Sequence, residues 1–344
     1  MGIFKEMREK IMTREERKQQ AEAHVKAMRN WFSSYIMASV RSSVIYGPSE
    51  AVLDSIGIGG NYALVPVTIE DQDVAAAVLE AKCINRSART AVLNFASYKE
   101  PGGRFLDGCM AQEEALCHAS GLYNVLRQFG SYYEWNREHL NRALYWNRGI
   151  YSPDVPFVFG DKFFFCDVIT VAAPNRRVAQ TYCRVTAEEN YEALYDRIRF
   201  VLDIAEHQQV DVLILGAYGC GVFGQDPNEV AGICKELLSS GRYSFQKAVF
   251  PIPVGKDGNL KAFRKTFGVS TDLTIHTEDR AELISQLINL FENFLGKRRI
   301  SLKGCGGFME KSEACTGGDA AITGADYDEL RDGIDKILEH WNLF

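Results

Sequence analysis

The chain has 344 residues, of which 46% are hydrophobic and 24% charged, and its net charge at neutral pH is −6. This is ordinary globular usage, with apolar material for one large domain or two of about 150 residues each, so disordered and fibrous classes are set aside. No apolar run approaches the ~18 residues of a membrane span, the first stretch lacks the apolar centre of a signal peptide, and the acidic balance argues against general nucleic-acid binding; a cytoplasmic protein with no membrane partner is expected.

Thr13 and Glu16 have capping-box spacing, and Val25, Met28, Phe32 and Ile36 recur on one face, which predicts a helix over 13–42. A passage rich in glycine, proline and serine follows (Gly47, Pro48, Ser49, then Gly57, Gly59, Gly60). Four apolar runs then read as strands: AVLNFA at 91–96, FFFCDVITVAA at 163–173, DVLILGA at 211–217 and KAVFPIPV at 247–254. Their hydrophobicity is continuous rather than alternating, as in strands covered on both faces. A helix carrying Leu116 and Leu122 follows the first run. Tyr191, Leu194, Ile198, Val201, Leu202 and Ala205 form a second helical stripe. Val230, Ile233, Cys234, Leu237 and Leu238 form a third, opening on Asp226 as N-cap and Pro227 at the first helical position. Strand–loop–helix alternation of this kind predicts a three-layer α/β/α domain.

Leu283, Ile284, Leu287, Leu290, Phe291 and Phe294 outline a further helix over 278–295, and Leu330, Ile334, Ile337 and Trp341 a last one. The glycine-rich stretch between them follows no strand and reads as a loop. The expected organisation is a helical segment at 1–45 packed on the core, a core domain at 46–270, and a helical extension at 271–344.

The nine cysteines are odd in number and widely spaced, with no CxxC pair, so they signal neither a disulfide framework nor a zinc cluster. Cys166 and Cys234 sit in apolar runs and read as core residues. The six histidines form no HxH or HxxxH pair, and neither a metal nor a cofactor is expected.

Two glycine-rich segments sit where chemistry is expected, directly after strands. In the first, Pro101-Gly102-Gly103-Arg104-Phe105 leads to Gln112-Glu113-Glu114 at a helix start. Adjacent glycines let the backbone approach a ligand, and crowding of two carboxylates can hold one protonated for general acid work. The same acids equally match a helix dipole as ordinary first-turn residues. The dipole opposes a raised pKa by about 0.3–1 kcal/mol, so burial has to outweigh it. In the second, Gly216-Ala217-Tyr218-Gly219-Cys220-Gly221-Val222-Phe223-Gly224 precedes the Asp226 helix. Strand, glycine-rich turn and helix present backbone N–H groups to phosphate; this is neither a Walker loop nor a GxGxxG fingerprint, but its four glycines in nine residues exceed what a tight turn requires, so phosphate binding is expected. Ala172-Ala173-Pro174-Asn175 reads as a simple strand exit.

Taken together, NFASYKEPGGRFLDGCMAQEEALC resembles the signature of the microbial-type poly(ADP-ribose) glycohydrolases, a branch of the macrodomain superfamily. GAYGCGVFGQDP resembles that family's diphosphate-binding loop, and TVAAPN its intervening strand end, in the same order and spacing over residues 13–270. The resemblance implies a macrodomain-like three-layer α/β/α sandwich with a mixed central sheet. It also implies hydrolysis of ribose–ribose bonds, with ADP-ribose and poly(ADP-ribose) chains on modified proteins as partners and no metal or cofactor.

Carried over, Glu114 is the general acid and base, Glu113 holds ribose hydroxyls, Gln112 orients the chain, and Gly102 and Gly103 form the turn at the substrate. The N–H groups of Gly219, Cys220, Gly221, Val222, Phe223 and Gly224 bind the diphosphate. Phe223 packs on the distal ribose and Phe250 stacks on adenine. The chain departs from the family's Asn-Pro-Gly-Gly-Gly by having Glu100-Pro101-Gly102-Gly103-Arg104. Arg104 either assists the diphosphate or blocks part of the cleft. The alternatives that this departure leaves are a non-catalytic ADP-ribose-binding module and a hydrolase of another ADP-ribose conjugate.

Overall fold

The computed structural model describes residues 12–47, 62–160, 162–255 and 258–269, all within the first of two compact units, Met1–Val269 and Ser270–Phe344. The passage at 48–60, the helices expected over 278–295 and around 330–341, and the glycine-rich stretch between them lie outside the described residues.

Helix α1 (Arg14–Ser42) begins at the expected capping box: Thr13 Oγ1 accepts from the Glu16 N–H, and the Glu16 carboxylate accepts from the Thr13 N–H. It buries Met28, Phe32 and Ile36. In chain order there follow β1 (Val44–Tyr46), β2 (Val67–Glu70), α2 (Val74–Ile84), β3 (Thr90–Phe95), α3 (Gln112–Ala119), α4 (Leu122–Leu126) and α5 (Gly130–Glu138). Next come β4 (Gly149–Phe159), β5 (Lys162–Val171), α6 (Arg176–Tyr182), α7 (Ala187–His207), β6 (Val212–Ile214), α8 (Pro227–Leu238), β7 (Lys247–Pro251) and α9 (Asn259–Phe267).

Among the described residues the strands form one mixed sheet in the order β1-β4-β5-β3-β6-β7-β2. Strands β5, β3, β6, β7 and β2 run parallel, and β1 and β4 pair antiparallel at one side. The sheet is covered on both faces. Ala91 and Leu93 of β3 and Ile169 and Val171 of β5 pack with α7, α8 and α9. Val92 and Val168 turn the other way, onto α1, α2, α3 and α4. Successive side chains point to opposite faces, so a run buried on both sides reads as continuously apolar. Each fully buried Leu, Ile or Val contributes about 1.5–3 kcal/mol, which makes these two layers the main source of stability.

Three elements differ from expectation. Strand β4, which no apolar run in the sequence predicts, carries Pro153 and Pro156, and its register shifts between Ser152 and Val155 with Asp154 at φ +52°. A bulge with two prolines has no regular strand pattern to detect. The helix expected across Leu116 and Leu122 is two helices, because Ser120 bridges to Phe157 and the Gly121 N–H donates to Pro156 O at 2.8 Å. Strand β6 stops at Ile214, shortly before Gly216 at φ +128°.

The parallel strands β3, β5, β6 and β7 all deliver their following loops to the same edge of the sheet. The three segments singled out in the sequence therefore meet there.

Candidate active site

The loop after β3 is shaped by its glycines and closed by two carboxylates. Gly103 has φ +57°, and a Cβ there would lie 2.7 Å from Glu114 Oε1 and 2.9 Å from Glu113 Oε2. Only glycine meets both the conformation and the space. The next residue turns its N–H inward: Arg104 N donates to Glu114 Oε1 at 2.9 Å.

Helix α3 is held in place by Gln112, whose Oε1 accepts from the Phe95 N–H and whose Nε2 donates to Leu93 O, both at 2.8 Å. This amide is occupied by the end of β3. Gln112 borders the cleft and anchors the helix that carries the acids.

Glu113 and Glu114 are 3% and 6% exposed. Glu113 is fully tied: Asn94 Nδ2 donates to its Oε1 at 3.1 Å and the Ser97 N–H to its Oε2 at 2.7 Å. Burial pushes its carboxyl from the ordinary 4.5 up to about 8, helped by the Glu114 charge and opposed by N–H groups of Ser97, Asn94 and Gly102. Desolvation thus outweighs both the donors and the dipole of α3. Glu114 differs, because its Oε2 makes no hydrogen bond among the described residues. Asn94 and Ser97 were not assigned in the sequence; they stand inside the NFAS segment but carry no motif of their own.

The loop after β6 is built from backbone. Gly219 has φ +76°, and a Cβ there would meet Ala173 Cβ and Gln225 Cγ, each at 2.9 Å. Gln225, buried, latches the loop: its N–H donates to Gly219 O, and its amide bonds Pro174 O and Asn190 of α7 at 2.8–3.0 Å. Of the six N–H groups expected to bind anion, those of Cys220 and Gly224 already donate to Ala217 O and Gly221 O. Those of Gly219, Gly221, Val222 and Phe223 make no hydrogen bond among the described residues.

A cavity of about 530 Å³ opens beside this loop, walled by Phe95, Gln112, Gly221, Phe223, Ile252 and Asn259 among others. A smaller one of about 220 Å³ is lined by Ser97, Tyr98, Tyr145 and Asn175, and Phe223 borders both. Asn175 is more than a strand exit, since its Oδ1 also caps α6 by accepting from the Val178 N–H at 3.1 Å.

Two expectations are corrected. Phe250 is 0% exposed and packs on Phe263 and Phe267, with ring centroids 5.4 and 5.5 Å apart. The alternation of β7 points it into the core beneath α9, so it does not reach a ligand; Pro251, Ile252, Pro253 and Val254 line the cleft instead. Arg104 neither enters nor blocks the cleft. Its side chain is 64% exposed and pairs with Asp107 at 2.9 Å, and its φ of −109° is open to any residue.

Among the described residues no group of three or more His, Cys, Asp or Glu is arranged to hold a metal ion, and no helix is long and apolar enough to cross a membrane.

A family model described as microbial-type PARG, catalytic domain, matches residues 9–159. Among solved structures, the poly(ADP-ribose) glycohydrolase of Thermomonospora curvata is 30% identical, covering 74% of this chain and 100% of its own with a TM-score of 0.67. Bound to the inhibitor ADP-HPD, the same protein covers 73% and 99% at 30% identity and a TM-score of 0.65. The Deinococcus radiodurans poly(ADP-ribose) glycohydrolase in complex with ADP-ribose is 32% identical, covering 68% and 96% with a TM-score of 0.60. Comparison with curated proteins gave no match.

Proposed function

The chain belongs to the microbial-type poly(ADP-ribose) glycohydrolases, and from that premise we propose that it cleaves the ribose–ribose bonds of poly(ADP-ribose) and releases ADP-ribose, with Glu114 as proton donor. It is a glycoside hydrolase. The observation that carries the assignment is the unequal pair of buried carboxyls on one turn of α3. Glu113, pushed up to about 8 by burial, is held on both oxygens by Asn94 and Ser97. Glu114 has one oxygen tied to the Arg104 N–H and the other unbonded, which suits the member that hands a proton on.

The steps follow from that inequality. Glu114 protonates the departing ribose oxygen, and an oxocarbenium-like centre develops on the distal ribose. The carboxylate left on Glu114 then accepts a proton from the attacking water. Glu113, fixed by Asn94 and Ser97, is a rigid partner for the ribose hydroxyls. The diphosphate lies on the N–H groups of Gly219, Gly221, Val222 and Phe223, which offer partial positive charge without side-chain entropy. Phe223, at the boundary of the two cavities, packs on the distal ribose. The adenosine end occupies the larger cavity toward Ile252 and Asn259, in place of a stack on Phe250.

Incubation of the full chain with poly(ADP-ribose) tests this directly. Release of ADP-ribose is expected. Tight binding of the polymer with no release would reduce the protein to a binding module.

A further inference from the structure

We propose that Arg177 is the side-chain cation that clamps the diphosphate of the bound ligand, an inference that rests on the ADP-ribose reading of the cleft. A diphosphate brings two negative charges to a site that already holds two carboxyls. Among the described residues the wall of the larger cavity contains one charged side chain, Asp73, and it is acidic. The backbone cradle supplies only partial charges. A cation is missing from the wall, and one stands beside it.

Residues 176 and 177 are consecutive arginines at the start of α6. Arg176 is engaged: its Nη1 donates to Glu229 at 3.2 Å and its Nε to Gln180 at 3.4 Å. Arg177 is tied to the phosphate loop through its backbone, whose N–H donates to Phe223 O at 3.0 Å. Its side chain lies along Gly224, close enough that a Cβ on that glycine would sit 3.5 Å from Arg177 Cβ and 3.6 Å from its Nε. The residue is exposed, and its guanidinium makes no hydrogen bond or ion pair among the described residues. The head group therefore loses no protein partner on turning to a ligand. A planar fork of donors matches two phosphate oxygens. Phe223 O fixes the root of the side chain next to the four unspent N–H groups, which sets the reach to the same anion.

The test is calorimetric titration of the full chain with ADP-ribose and with adenosine, which lacks phosphate, at low and high salt. Arg177→Gln should bind ADP-ribose about tenfold more weakly at low salt, as expected for a lost hydrogen bond to a charged group. The loss should shrink at high salt, where charge attraction is screened. Adenosine should bind both proteins equally, and Arg177→Lys, which keeps the charge without the fork, should fall between them. Lys26→Gln removes the same charge from the exposed side of α1 and should match the wild type. Unchanged ADP-ribose affinity in Arg177→Gln, or an equal loss in Lys26→Gln, overturns the clamp. A wild type that does not bind ADP-ribose overturns the reading of the cleft itself, and shows this before any variant is compared.

Discussion

The loop after β3 spends its backbone on side chains, whereas the loop after β6 leaves its backbone unspent. In the first, N–H groups of Ser97 and Arg104 point at Glu113 and Glu114 and hold two carboxyls in a water-poor corner. In the second, Gln225 closes the turn through Pro174 O and Asn190, and four N–H groups make no hydrogen bond among the described residues. Under the proposed function that difference divides the tasks. Proton transfer needs a carboxyl with an oxygen left unbonded for the substrate, as Glu114 has, while anion binding needs only dipoles held in position. Substitutions in the two loops should therefore fail in different ways: loss of turnover in one, loss of affinity in the other.

The sharpest separation is Glu114→Gln. The amide keeps the shape and cannot donate a proton as an acid does, so polymer hydrolysis should fall by roughly 10²–10⁴-fold with ADP-ribose affinity nearly unchanged. Single-turnover release and titration calorimetry read the two halves. Wild-type turnover in this variant would remove Glu114 from the chemistry.

Next in size is the pH dependence of stability through Glu113. Its folded-state pKa of about 8 exceeds the ordinary 4.5, so the folded protein retains a proton that the unfolded chain releases between those values. Stability from this group is fully present below the unfolded value and is lost as pH rises through the folded one, at up to about 1.4 kcal/mol per unit. Thermal melts of the wild type and of Glu113→Gln should diverge steadily across that window, with the glutamine variant losing less on the alkaline side. Parallel curves would show that Glu113 ionises without penalty.

On the other side of the comparison, Gly221→Val should leave the melting temperature unchanged, because a Cβ at Gly221 meets nothing within 4 Å. The branched side chain instead adds bulk at the wall of the larger cavity, which Gly221 lines, and ADP-ribose affinity should drop about tenfold. Equal affinity in the folded variant would place the anion elsewhere.

The smallest effect is expected at Arg104→Gly, which restores the family's usual glycine. Only the backbone N–H of this residue serves Glu114, and the side chain is paired with Asp107 on the surface. Turnover and affinity should both stay within about twofold of the wild type, well under the tenfold that 1.4 kcal/mol represents. A large change in either would mean that the guanidinium takes part after all.

Much of this protein is legible in its amino-acid sequence. The capping box at Thr13 and Glu16, the strands at β3, β5, β6 and β7, and the helix opening at Asp226 rest on local patterns, because caps and buried strands are decided by near neighbours along the chain. The two glycine-rich segments stand out through residue types that only close approach or unusual backbone angles require. Tertiary structure alone decided the rest. The direction in which Phe250 points follows from the pleat of β7 between β6 and β2, with α9 packed over that face. The route of the Arg104 side chain depends on Asp107, and the unequal environments of Glu113 and Glu114 depend on Asn94 and Ser97 across the fold. Strand β4 is held by pairing with β1 and β5 despite its prolines. Local sequence sets which conformations a segment favours, whereas burial, partner and pKa are properties of what the rest of the chain packs around it.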